Sequence, residues 1–85
     1  MKKYIANVKI MPLKNLADPQ GKAVMNALHR LTFKSVSNVR IGKNILIEFT
    51  ALDYNSAKQL LEQMCEKLLR NPVVEYFEYE LIEEK

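Results

Sequence analysis

Residues 36–50 read Val36-Ser37-Asn38-Val39-Arg40-Ile41-Gly42-Lys43-Asn44-Ile45-Leu46-Ile47-Glu48-Phe49-Thr50. Two alternating apolar runs flank Gly42-Lys43-Asn44, a pattern that predicts a β-hairpin. The faces decide the loop length. A two-residue Gly42-Lys43 loop sets Ile41 opposite Asn44 and Arg40 opposite Ile45. A three-residue loop sets Ile41 opposite Ile45, Val39 opposite Ile47 and Ser37 opposite Phe49, which gathers the apolar residues on one face. Asn44 suits the left-handed conformation such a loop uses.

Upstream of the hairpin, Tyr4, Ala6, Val8 and Ile10 alternate with Lys3, Asn7 and Lys9, predicting a strand over residues 3–11 that Pro12 ends. Asp18-Pro19 opens a helix: Asp caps free N–H groups and Pro costs nothing at the first helical position. That helix is predicted over residues 19–31, with Val24, Ala27, Leu28 and Leu31 as its apolar stripe. Downstream, Asp53 starts a second helix reaching Arg70, with Ala57, Leu60, Leu61, Met64 and Leu68 on one face. Arg70 complements the helix dipole in the last turn, and Asn71-Pro72 stops the helix. A last strand is predicted over residues 73–82, with Val73, Phe77, Tyr79 and Leu81 on one face with Glu75.

The expected order is β-α-β-β-α-β, an α+β ferredoxin-like fold with two helices on one face of a four-stranded antiparallel sheet. Five residues fall out of phase with the main apolar sets: Ile5, Leu46, Val74, Tyr76 and Ile82. A sheet covered on one face needs no such second set. They are the expected oligomer interface, and burying several of them is worth several kcal/mol at roughly 25 cal/mol per Å².

The 85 residues make one domain, 1–85, of marginal stability unless it self-associates. No apolar run reaches the ~18 residues of a membrane span, and the basic Met1-Lys2-Lys3 start leads into no signal-peptide core. A single cysteine allows no internal disulfide, so a cytoplasmic location is expected. The net charge is +3, but residues 1–43 hold nine Lys and Arg against Asp18 alone, while residues 44–85 hold four against nine acids. Such asymmetry suits docking to charged partners. No concentrated basic run marks a nucleic-acid surface.

Catalytic material is scarce. His29, the sole histidine, lies near a helix C-terminus, where it reads as a capping or surface residue rather than a general base. Cys65 sits within a helix rather than on a strand-to-helix turn with a base nearby, so it reads as an inert thiol. One Cys and one His make no metal site, and no phosphate-binding glycine loop is present. Gly21 and Lys22 at a helix start are the one anion-site candidate. Arg40, Gly42 and Lys43 at the hairpin tip are candidates for docking an acidic patch or a nucleotide phosphate on a partner.

Three segments carry a resemblance: Asp18-Pro19-Gln20-Gly21-Lys22-Ala23-Val24 with Ala27-Leu28-His29; Val39-Arg40-Ile41-Gly42-Lys43; and Met64-Cys65-Glu66-Lys67-Leu68-Leu69 with Asn71-Pro72-Val73. Together and in this order they resemble the PurS family, over nearly the whole chain. The resemblance implies a non-catalytic assembly subunit of phosphoribosylformylglycinamidine (FGAM) synthase, in de novo purine biosynthesis. The implied partners are a glutaminase subunit (PurQ), a synthetase subunit (PurL) and further copies of itself, as dimer or tetramer. It implies no cofactor in this subunit; ATP and Mg²⁺ belong to the synthetase. One departure stands out: the family often places Gly just after the first helix, where this chain reads Leu31-Thr32-Phe33.

Two other classes share the element order. An ACT-like regulatory module needs glycine between its first strand and helix, and residues 12–18 have none. An RNA-recognition domain needs exposed strand aromatics, whereas Tyr4 and Phe49 fall on the face expected under the helices.

Overall fold

Strand β1 (Lys2–Pro12) lies at the centre of an antiparallel sheet in the computed structural model, which describes residues 1–84. Lys85, the last residue of the expected domain, lies outside the described residues. β2 (Lys43–Ala51) and β3 (Glu75–Glu84) flank β1 in the order β2-β1-β3. The register follows the alternation. Ala6 and Val8 oppose Ile47 and Ile45 on one side and Leu81 and Tyr79 on the other. These residues share the inner face, where Tyr4, Ala6, Val8 and Ile10 are fully buried.

Two helices join the strands. Helix α1 (Pro19–Arg30) is capped by the Asp18 carboxylate, which accepts from the Gly21 N–H at 3.0 Å. Helix α2 (Tyr54–Met64) is capped by Asp53, which accepts from the Ser56 N–H at 2.8 Å and is held below the usual carboxylate range mainly by that bond. α2 runs on into a π-helical turn (Cys65–Leu69), closed by an Arg70 N–H bond to the Cys65 carbonyl at 3.1 Å. Ala57, Leu61 and Cys65 of this helix are buried against the sheet. Tyr79 donates to Glu62 Oε2 at 2.6 Å, fastening β3 to α2; burial and that bond push its phenol up to about 12.

The α+β architecture, the antiparallel sheet and the positions of both helices along the chain match the sequence reading. Four local features differ. Residues 36–41, in the place of the second strand, form no ladder, so the sheet has three strands among the described residues. The expected hairpin and its three-residue loop are therefore absent: Lys43 and Asn44 belong to β2, and Asn44 has no left-handed backbone. Side chains take the bonds a ladder would need, as described below. Second, α1 does not lie on the sheet with α2; among the described residues it has no extended contact with any other helix or strand. Third, Leu68 is 82% exposed, because the wide π turn rotates it out of the α2 stripe. Last, Val73 and Val74 lie in a turn before β3, where Asn71 Oδ1 accepts from the Val73 N–H at 3.1 Å and the Asn71 carbonyl accepts from Val74 and Glu75. An Asn side chain of this kind offers the backbone an alternative to the ladder.

The departure from the family pattern resolves at the end of α1. Thr32 adopts φ 80°, the left-handed conformation usually given to Gly. Its N–H donates to the His29 carbonyl, and that of Phe33 donates to the Leu28 carbonyl at 3.0 Å. The helix therefore closes with a Schellman cap built on threonine.

Candidate partner-docking site

β1 leaves the sheet at Pro12, and the chain re-enters at Lys43 beside Ile10, so residues 13–42 depart from and return to one end of the sheet. This arm is pinned at its base by two side chains. Asp18 bridges the first turn of α1 and the returning segment: Oδ1 takes the Gly21 N–H, and Oδ2 takes the Ile41 N–H at 2.8 Å. Those two bonds, the Ile41 one foremost, hold its carboxyl below the usual range, and the Arg40 charge adds to them. Arg40 folds inward, donating to the carbonyls of Leu16 at 3.0 Å, Pro12 at 3.3 Å and Leu13. Its guanidinium thus satisfies three carbonyls of the loop that leaves β1.

Both glycines of the chain sit where backbones nearly touch. A Cβ on Gly21 would overlap the Val39 carbonyl, and one on Gly42 would overlap the Ile10 carbonyl and the Met11 sulfur. His29 Nε2 lies 2.8 Å from the Val36 carbonyl and donates to it, pinning the far end of the returning segment to α1. The first two sequence motifs are thus one structural unit.

Arg40 is consequently a fold element rather than a projecting cation, because its donors are spent on backbone carbonyls. Gly42 is fixed by close approach. Lys43, the first residue of β2, is the one of the three with an exposed, uncommitted side chain. At Gly21 the N–H is taken by Asp18, and the Lys22 N–H bonds the Asp18 carbonyl at 2.9 Å, so the helix start already holds a carboxylate of its own. Lys22 is exposed beside a cleft of ≈ 380 Å³ lined by Leu16, Met25 and Val39.

Four of the five expected interface residues share the outer sheet face. Ile5 opposes Ile82 directly, and Tyr76 opposes Met11. Leu46 and Ile82 are 61% and 60% exposed. A polar band separates the two apolar patches, with a Lys9–Glu78 ion pair at 3.5 Å and an Asn44–Asn7 hydrogen bond at 3.0 Å. Val74 lies in the turn, where its carbonyl accepts from the Leu13 N–H at 2.8 Å. Cys65 is buried among Ala6, Val8, Ile10 and Leu61, and burial pushes its thiol up, which suits packing rather than nucleophilic chemistry.

Sequence reasoning missed the Arg70 clamp. Its guanidinium forks onto Glu66 with both contacts at 2.8 Å, bonds the Glu75 carbonyl at 3.3 Å and covers the Phe77 ring at 5.2 Å. The i,i+4 spacing of Glu66 and Arg70 was the available signal. For the arm, the signal was that the chain has only two glycines, one in each of the motifs that meet.

This fold and its pinned arm define a small α+β module in which Asp18, Gly21, Arg40 and Gly42 of the two motifs serve architecture. Residues 5–83 match the family described as PurS: Phosphoribosylformylglycinamidine (FGAM) synthase. The phosphoribosylformylglycinamidine synthase subunit PurS of Bacillus subtilis is 40% identical over 80 residues, 94% of each chain. PurS of Thermus thermophilus superimposes with a TM-score of 0.85 at 36% identity, covering 98% of this chain and 99% of that one. A chain of PurLQS from Thermotoga maritima gives a TM-score of 0.83 at 31% identity, covering 99% of this chain and 100% of that one. The chain belongs to the PurS family.

Proposed function

We propose that this chain is the assembly subunit of FGAM synthase, joining a glutaminase subunit to an ATP-dependent synthetase subunit without chemistry of its own. The observation that carries this reading is the full-length likeness to a chain of PurLQS. The pinned base of the arm supports it, since residues already held in place have less ordering left to do when a partner binds. ATP and Mg²⁺ belong to the synthetase in this reading, and the setting is the cytoplasm; no helix among the described residues is long and apolar enough to cross a membrane. Self-association is part of the same reading, and the outer patch of Ile5, Leu46 and Ile82 offers one surface for it.

The test is co-purification with the glutaminase and synthetase subunits, with ATP or ADP, Mg²⁺ and glutamine present or absent. A stable three-component complex, with glutamine-dependent turnover that needs this chain, is the expected result. Failure to bind either subunit under all of these conditions would overturn the reading. Lys43→Ala should weaken binding to the synthetase most at low salt, the difference from the parent shrinking as salt rises, while leaving the fold intact. Unchanged binding would remove Lys43 from the docking surface.

A further inference from the structure

The cleft between the start of α1 and the returning segment has an apolar lining and a prepared wall. Leu16, Met25 and Val39 line its ≈ 380 Å³, with Asp18 and Arg40 in the wall. That volume lies at the small end of binding pockets and suits one anchoring side chain. The wall is fixed in advance, because Asp18 holds the Ile41 N–H and Arg40 holds the carbonyls of Pro12, Leu13 and Leu16. Groups already fixed lose little freedom when something enters. Lys22 and Asn38 stand exposed at the rim.

Charge selects what enters. Asp18 and Arg40 are spent on backbone groups. The other Lys and Arg residues of the arm are Lys14, Lys22, Arg30 and Lys34, and Asp18 is its only acid. All four cations are exposed, and none has an ion-pair partner among the described residues. Every uncommitted charge on the arm is therefore positive. An apolar hole with a cation at its rim fits an apolar side chain carried beside a carboxylate. At about 100° per residue, Lys22 lies roughly 160° around α1 from Val24, so the cleft and the exposed apolar side of the helix face different ways.

We infer that this cleft seats an acidic segment of the synthetase subunit. One apolar anchor enters between Leu16, Met25 and Val39, and a neighbouring carboxylate pairs with Lys22. The inference rests on the assembly reading and extends its surface. Val39 and Arg40 lead through Ile41 and Gly42 straight to Lys43, the cation that the reading sets against the same subunit.

The isolated synthetase subunit is titrated with the parent chain and with two variants. Lys22→Glu should weaken binding at least tenfold at low salt, with the gap narrowing as salt rises. Met25→Ala should weaken it several-fold at every salt concentration. Lys22→Glu should match the parent in circular dichroism and sedimentation, since Lys22 is exposed. Equal binding by Lys22→Glu and the parent would overturn the cleft, and a loss with Lys43→Ala in the same titration would leave the assembly reading standing. A parent that binds no synthetase would overturn both. For position, Lys22→Cys carries a photoactivatable thiol label in the three-component complex, Cys65 being buried away from the reagent. The expected adduct joins the synthetase at a segment where Asp or Glu adjoins a large apolar residue. An adduct confined to the glutaminase or to a second copy of this chain would overturn the inference.

Discussion

The Asp18 carboxylate accepts the Ile41 N–H at 2.8 Å across 23 positions of sequence, and this one bond closes the base of the arm. The same side chain caps α1 through Gly21. Its carboxyl is held below the usual range by these two bonds, so linkage has a definite sign. The contribution is fully present above the ordinary carboxylate value of about 3.9 and is lost as pH falls through the lower folded value. Amides of residues 36–42 should therefore lose hydrogen-exchange protection in that acid range before those of β1 do. Asp18→Asn should loosen them at neutral pH and remove the acid step. Equal protection in the variant and the parent would show that the bond does not hold the segment.

Gly21→Ala should cost about 1–3 kcal/mol, the usual range for inserting an atom into a packed site. The added methyl meets the Val39 carbonyl, which is backbone and has little room to yield. Ala is a better helix former than Gly, so propensity alone predicts the opposite sign. Urea unfolding decides: a variant at least as stable as the parent would mean that the returning segment shifts freely.

Thr32→Gly should stabilise the protein by roughly 1 kcal/mol, because a β-branched residue is strained at φ 80° and glycine is not. The rise in melting temperature should come with unchanged oligomeric state. A fall would mean that unfolded-chain entropy outweighs the relief of strain.

Tyr4 is fully buried between Phe49 and Tyr54, and its hydroxyl has no hydrogen-bond partner among the described residues. Burial, with Glu83 and Asp53 nearby, raises its phenol pKa. Tyr4→Phe keeps the ring and removes an unsatisfied oxygen, so the melting temperature should hold or rise. A clear drop would show that the hydroxyl is bonded in solution.

The sheet was legible in the sequence wherever packing alone sets the pattern. Tyr4, Ala6, Val8 and Ile10 alternate because β1 is central, and Phe77, Tyr79 and Leu81 alternate because they face the same core. Both helix starts were legible as well, since an Asp cap is a local signal. Residues 36–41 misled because Ser37, Val39 and Ile41 alternate like a strand while their environment is set from far away. Pro12, Leu13 and Leu16 offer carbonyls that only the folded chain brings to Arg40. Arg40 folds inward instead of projecting for that reason, whereas the exposure expected of Lys43 needed only a sheet edge. The interface set was half legible. Periodicity placed Ile5, Leu46, Tyr76 and Ile82 on one face, but the Asn71 turn that removes Val74 depends on side-chain bonds.

The sheet order has a consequence for how the chain is made. β1 is synthesised before β2 and β3 but occupies the centre, and its partner β3 follows the arm, β2 and α2, with Lys3 paired to Glu84. On a ribosome β1 has one flank empty until β3 emerges, whereas the arm, whose pins lie within residues 12–41, can close long before. Non-local pairing of this kind is slow and leaves strand edges open while it waits. Shortening the C-terminus into β3 should therefore yield a nascent chain with a formed arm and an unfinished sheet, a species that chaperones would hold.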